Sequence, residues 1–296
     1  MLNKDDFANY PQLHAIYSSS HFLKTTAPRI IAETCLMAIS IAAYVIPKRP
    51  DLSSHVHAAL EETALEFLKD PLLQTRYALF LGYYMDTLFK TREDLFKSSL
   101  EMLLTSIAFE DPSRRAIALQ SADTLRTIII DEDLRPRIGQ LTPFITPLLA
   151  NYCEKLEVPK FFDFLSDYVG NFASHISAQD LGTLLQCLVK RLIGEKESLT
   201  ARGMKNNNIV TELLSVLQRV AEQEAFVPLV PEIELLLTPV LELLRRPNEI
   251  DFEDEILCIF VESMQRTKTL TRHAQTALEL LPGLFKKYDC LFGSLL

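Results

Sequence analysis

The chain has 296 residues, of which 48% are hydrophobic and only 8 are glycine, enough apolar material for a continuous core and too little glycine for an architecture of tight β-turns. Its formal net charge of −9 argues against nucleic acid as the main partner, because neutralising phosphates needs clustered Lys and Arg. Five cysteines, Cys35, Cys153, Cys187, Cys258 and Cys290, are odd in number, far apart and set in apolar stretches, which predicts reduced, buried, core-filling thiols rather than a disulfide framework.

Residues 1–27 begin MLNKDDFANYPQL, which is acidic and has no apolar run behind a basic start, so no secretory signal is read there and the segment is expected to be irregular and poorly ordered. With the reduced thiols, this points to the cytoplasm and nucleus. From Ile31 onward, apolar residues recur at three- and four-residue spacing, as in LLQTRYALFLGYYMDTLFK and TELLSVLQRVAEQ, and no sustained alternation suggests a strand. The spacing predicts helical hairpins whose first helices start at Ile31, Leu72, Pro112, Val158, Asn207 and Asp251. Their partner helices start near Leu52, Glu93, Ile138, Ser177, Pro228 and Thr271. A recurrence about every 40 to 49 residues, with two amphipathic helices per unit, marks HEAT or armadillo-type repeats, in which no unit buries its own apolar face. The expected fold is therefore all-α: a single solenoid over residues 28–296, about six antiparallel helix pairs wound into a superhelix.

Two segments within that frame carry further expectations. IIAETCLMAISIAAYVI, Ile30 to Ile46, is almost continuously apolar and just within the lower range for a membrane span, but Glu33, Thr34 and Ser40 and the amphipathic helices that follow favour a core helix, and no membrane partner is expected. GEKESLTARGMKNNN, Gly194 to Asn208, is polar, carries two glycines and separates two periodic halves, which fits either a hinge or an ordinary inter-repeat loop.

Charged residues fall into two groups. The pairs Lys48/Arg49, Lys190/Arg191, Arg245/Arg246 and Lys286/Lys287 lie at or just beyond predicted helix C-termini, where cations offset the negative end of the dipole. Acids concentrate in Glu61/Glu62, Asp131 to Asp133, Glu154/Glu157, Glu232/Glu234/Glu242 and Asp251/Glu253/Asp254/Glu255, and together would attract basic proteins. Taken singly, each cluster reads as a solvated helix face, and Asp251 to Glu255 as first-turn carboxylates.

No catalytic constellation emerges. There is no glycine-rich phosphate loop; His55 and His57 are two apart and fall on different sides of a helix; Cys153, Cys187 and Cys258 lie in different hairpins without a CxxC spacing or an evident histidine. The acidic pairs have no companion base or oxyanion donor that the pattern places opposite them. No enzyme activity, cofactor or metal is expected.

From about Pro112 to Phe285 the residues carry a more specific likeness. RRAIALQSADTLRTIIIDEDLRPRIGQLTPFITPLLANYCEKLE sets an alanine-rich helix ending in ALQ before an acidic link and a proline-containing helix, with Ala116, Ala118, Leu119, Gln120, Pro143, Ile145 and Pro147 at the matching positions. PKFFDFLSDYVGNFASHISAQDLGTLLQCLVKRLI repeats the hairpin plan. Asp251-Phe252 with Glu255-Ile256-Leu257 opens a further helix on an aspartate-aromatic pair and a glutamate. In these stretches the chain resembles the middle-to-late solenoid of the importin-beta superfamily (karyopherins), in particular large import receptors like importins seven and eight.

The resemblance implies a nuclear transport receptor segment that wraps protein cargo, often basic ribosomal proteins or histones, and belongs to a pathway in which GTP-loaded Ran releases it. The Ran-binding N-terminal repeats of that family have no counterpart here, and the family's acidic insertion is replaced by GEKESLTARGMKNNN. The cargo surface would then be the concave, second-helix face, with Glu154, Glu157, Glu232, Glu234 and Glu242 as the binding residues. The alternative is a HEAT scaffold or adaptor holding a multiprotein complex through apolar contacts. The end of the chain, LPGLFKKYDCLFGSLL, exposes Leu291, Phe292, Leu295 and Leu296 without a polar cap, which leads us to expect a piece of a longer receptor or a surface covered by a partner.

Overall fold

Among the described residues, apolar positions at helical spacing wind into eleven α-helices and one 3-10 segment, with no strand. The computed structural model describes residues 29–42, 71–91, 93–108, 114–156, 158–195, 207–245 and 252–287. The helices are α1 (Arg29–Ile41), α2 (Pro71–Thr91), α3 (Glu93–Ile107), α4 (Arg115–Ile130), α5 (Arg135–Cys153), α6 (Pro159–Phe172), α7 (Ala178–Gly194), α8 (Asn207–Ala221), α9 (Val230–Leu244), α10 (Glu253–Thr267) and α11 (Arg272–Lys287).

Local chemistry sets several of the boundaries. Ser177 caps α7: its hydroxyl oxygen accepts the Asp180 N–H at 3.1 Å while the hydroxyl donates to Asp180 Oδ2 at 2.7 Å, fixing the first turn from both sides. Pro159 opens α6, where its missing N–H costs nothing. Asp131 ends α4 and shapes the turn into α5, its Oδ1 accepting the N–H groups of Asp133 and Leu134, both at 2.9 Å. Lys268, with φ 51°, closes α10 in the left-handed conformation, and its N–H returns to the Met264 carbonyl at 2.9 Å.

The chain divides into two compact units, 1–134 and 135–296. In the first, α2 packs on α1, α3 and α4, and α3 also packs on α4. Its centre is aromatic: Tyr77, Phe80, Tyr84, Phe89 and Phe96 are buried, and the Phe80 and Tyr84 rings stack with centroids 4.6 Å apart. Buried and half-buried polar groups tie the helices where the apolar surface leaves room. Tyr84 donates to the Ile39 carbonyl at 3.0 Å, Thr124 donates to the Ala78 carbonyl at 2.7 Å, and Glu33 pairs with Arg76 between α1 and α2. Ser40, within α1, turns its hydroxyl back to the Leu36 carbonyl at 2.8 Å.

The second unit alternates between two rows. α6 packs on α8 and α8 on α10; α5 packs on α7, α7 on α9 and α9 on α11; and the rows meet through α5 on α6, α7 on α8, α9 on α10 and α10 on α11. Each helix thus packs on the one two places along the chain, the neighbour relation of stacked hairpins and one consistent with an α-solenoid. Phe161, Phe162, Phe164, Leu165, Tyr168, Val169 and Phe172 of α6 are all buried, and a fully buried side chain of this kind contributes about 1.5–3 kcal/mol.

Helix α5 runs through Pro143 and Pro147. Pro143 cannot donate to the Gly139 carbonyl one turn back, and the Thr142 hydroxyl takes up that role at 2.9 Å. The same hydroxyl lies 2.9 Å from the His175 carbonyl, so its single proton serves one acceptor at a time and links α5 to the turn after α6. Gly139 is what admits this approach, since a Cβ there would stand 2.8 Å from the His175 ring.

Expected and observed starts agree closely at Glu93, Asn207 and Ile31 (observed Arg29). Helix α5 begins three residues before Ile138, because Pro136 is tolerated in a first turn. Helix α9 begins after Pro228, which falls in the 3-10 segment Glu224–Leu229. The starts expected at Leu52 and Pro112, the segment 1–27 and residues 196–206 of the expected hinge or loop lie outside the described residues. Among the described residues no helix is long and apolar enough to cross a membrane. Helix α1, at 13 residues, spans only about 20 Å against a hydrocarbon thickness of about 30 Å.

Candidate functional site

The five glutamates read as a binding surface have different surroundings. Glu154 sits in the turn after α5 and is exposed, but Lys190 of α7 donates to its Oε1 at 2.8 Å and Arg191 Nη1 donates to its backbone carbonyl at 3.1 Å. Hydrogen bonding to Glu154, and then its charge, hold the Lys190 ammonium above its ordinary value. Glu242, near the end of α9, is exposed and paired with Arg245 at 2.8 Å. Glu232 and Glu234 lie on α9. The side chains of these two, and the whole of Glu157, lie outside the described residues.

Further pairs occupy neighbouring helix ends: Arg191 with Glu195 at 2.7 Å and Arg219 with Glu222 at 2.8 Å. Lys190 and Arg191 near the end of α7, and Arg245 just after α9, stand where cations offset the helix dipole and pair with carboxylates beside them, while Lys48, Arg49 and Arg246 lie outside the described residues. The exposed pairs Lys190–Glu154 and Arg245–Glu242 add little stability, and they leave less net field at Glu154 and Glu242 than the acidic letters suggest.

Helix α10 is different. Asp254, Cys258 and Glu262 follow one another at four-residue spacing, with Glu255 and Val261 alongside, so the sequence places them on one stripe. Asp254 and Cys258 are exposed, Glu255 and Glu262 are half-buried, and Val261 keeps 39% of its surface in solvent. No Lys or Arg among the described residues pairs with these three carboxylates. Their field is felt at the thiol between them: partial burial, then Asp254, Glu255 and Glu262 in turn, push the Cys258 thiol above the usual cysteine value.

This helix corrects two expectations. Cys258 is not a buried core thiol; it faces solvent, whereas Cys35 and Cys153 are buried and Cys187 is half-buried, all four being free. Glu253, Asp254 and Glu255 do stand in the first turn, as expected, but Glu253 is buried at 2% exposure rather than solvated. Glu262 lies two turns beyond the helix start, too far for the dipole to account for it. The four-residue spacing of Asp254, Cys258 and Glu262 within DFEDEILCIFVE is the sequence signal for this stripe.

What such a stripe can do is attract and hold cations without chemistry. Burial pushes the Cys153 thiol far up, which removes it as a nucleophile, and among the described residues no group of three or more His, Cys, Asp or Glu is placed to hold a metal ion. A second exposed feature is apolar. Phe144 on α5 leaves 76% of its surface in solvent between the exposed Pro143 and Pro147. Neither a family model nor a curated protein matches the chain.

Proposed function

We propose that this chain is a protein-binding helical-repeat segment, continuing as about six HEAT-type pairs in a superhelix, that takes up basic protein cargo in nucleocytoplasmic transport. The observation that carries the binding role is the acidic stripe of α10, one exposed and two half-buried carboxylates that pair with no described Lys or Arg, on a helix whose opposite side is anchored in the core. Stacked hairpins support it, because a row of helices offers a long continuous surface with no pocket chemistry. The transport assignment rests on the resemblance to importin-beta receptors carried by residues 112–285, and with it the placing in cytoplasm and nucleus and the link to Ran. Within this reading Asp254, Glu255 and Glu262 are cargo-facing residues on the first-helix row of α6, α8 and α10, whereas Glu154, Glu232, Glu234 and Glu242 belong to the second-helix row of α5, α7 and α9, so α10 offers a separate acidic face.

The test is recovery of partners on the immobilised chain across a salt series, with and without GTP-locked Ran. Core histones or ribosomal proteins that leave as salt rises support an acidic cargo surface, and their release by Ran supports the transport reading. Phe144 and its flanking prolines favour a second reading, a scaffold that holds other subunits by apolar contact. A salt-resistant set of partners, lost on Phe144→Ala and indifferent to Ran, would replace the first reading by the second.

A further inference from the structure

The turn between α10 and α11 reverses the charge of the rest of the chain. RTKTLTR, Arg266 to Arg272, carries three cations and no acid in a protein of net charge −9. Arg266, Lys268 and Arg272 are all exposed, and none of them forms an ion pair with a described residue. Leu270 between them keeps 60% of its surface in solvent.

Three threonines share the turn, and two have structural work. Thr267 donates to the Ser263 carbonyl at 2.8 Å and accepts the Thr269 N–H at 3.3 Å; Thr271 accepts the Ala274 N–H at 3.2 Å at the start of α11. The Thr269 hydroxyl makes no hydrogen bond to a described residue, and Thr269 is exposed in the non-helical stretch that the left-handed Lys268 opens. Arg266 lies three residues before it, Lys268 one before, and Leu270 one after. No other arginine of the chain has a Ser or Thr three residues on.

We propose that Thr269 is a phosphorylation site for an ATP-dependent Ser/Thr kinase that selects arginine three residues before its acceptor. Thr269 Oγ1 attacks the γ-phosphorus of ATP, the bond from that phosphorus to the β–γ bridging oxygen breaks, and ADP leaves with the electron pair; the hydroxyl proton passes to the kinase's catalytic base. Arg266 and Lys268 meet the acidic substrate groove of such an enzyme, Leu270 its apolar subsite, and the last turn of α10 frays to extend the segment. Once transferred, the phosphate brings a charge of about −1.5 to −2 into a turn that already holds three cations paired with no described residue. The inference does not depend on the transport reading.

The experiment incubates the full folded chain with labelled ATP and the catalytic domain of a calmodulin-dependent kinase, and maps the product by tandem mass spectrometry. The expected result is a single phosphate on Thr269, absent from Thr269→Ala, with kcat/KM lowered roughly tenfold in Arg266→Ala, the loss of one charge-assisted contact in the kinase groove. Circular dichroism of both variants checks that the fold survives. Phosphate on another residue, equal labelling of Thr269→Ala, or no effect of Arg266→Ala would overturn the proposal. So would a folded chain that stays unlabelled, whether or not a peptide of residues 263–273 is a substrate.

Discussion

Helices α6 and α10 belong to the same row of the second unit and do opposite things with their surfaces. In α6 only Lys160 is exposed, and its aromatic residues close on each other, with Phe161 and Phe162 centroids 5.1 Å apart and Tyr168 and Phe172 5.3 Å apart. Helix α10 buries Glu253, Ile256, Ile259, Phe260 and Ser263 and turns Asp254, Cys258 and Val261 outward. One row therefore contains both an anchor and an exposed surface. A helix in this arrangement is free to vary its outward stripe once its inward stripe is apolar.

The largest expected break in that comparison is at α6. Phe164→Ala should lower stability by about 3–5 kcal/mol, read as a shift of the denaturant midpoint, because a closed aromatic layer cannot collapse onto the cavity. Tyr168→Phe comes next, at about 1 kcal/mol: its hydroxyl shares a 2.8 Å hydrogen bond with buried Thr146 between α5 and α6, and the change strands the Thr146 oxygen. Surface changes on α10 should sit at the other extreme, with Asp254→Lys, Glu255→Lys and Glu262→Lys each within about 0.5 kcal/mol of the parent.

The thiols sharpen the contrast. Iodoacetamide should alkylate Cys258 in the folded chain and spare Cys153 until unfolding, as exposure dictates. Thiolate is the reacting form, and the Cys258 thiol is held above its usual value, so its rate should rise at higher pH than that of a cysteine peptide. Replacing Asp254, Glu255 and Glu262 by their amides should move the profile to lower pH but not fully to the peptide's, because burial, the larger cause, remains.

Which features were legible in the sequence follows from what a period encodes. The helix starts at Glu93 and Asn207 were readable from apolar spacing, since a helix that packs must present a stripe. The compensation of Glu154 was not, because Lys190 lies 36 residues away on another helix and the pairing depends on how α5 packs against α7. Thr142 holding the His175 carbonyl is hidden for the same reason. Glu253 and Asp254 show how fine the limit is: adjacent carboxylates in one first turn, one buried and one exposed, are separated only by the 100° step of the helix against a neighbour that the sequence does not locate.

The measurement that bears most directly on the central claim is the binding of a labelled histone-tail peptide, followed by fluorescence anisotropy at low and moderate salt. It compares the parent with the combined Asp254→Lys, Glu255→Lys, Glu262→Lys variant. The account predicts that parental affinity falls as salt rises, and that the variant binds roughly tenfold or more weakly at low salt with a shallower salt dependence. Equal affinity and equal salt dependence in the two proteins would contradict it, and would remove α10 as the surface that meets a basic partner.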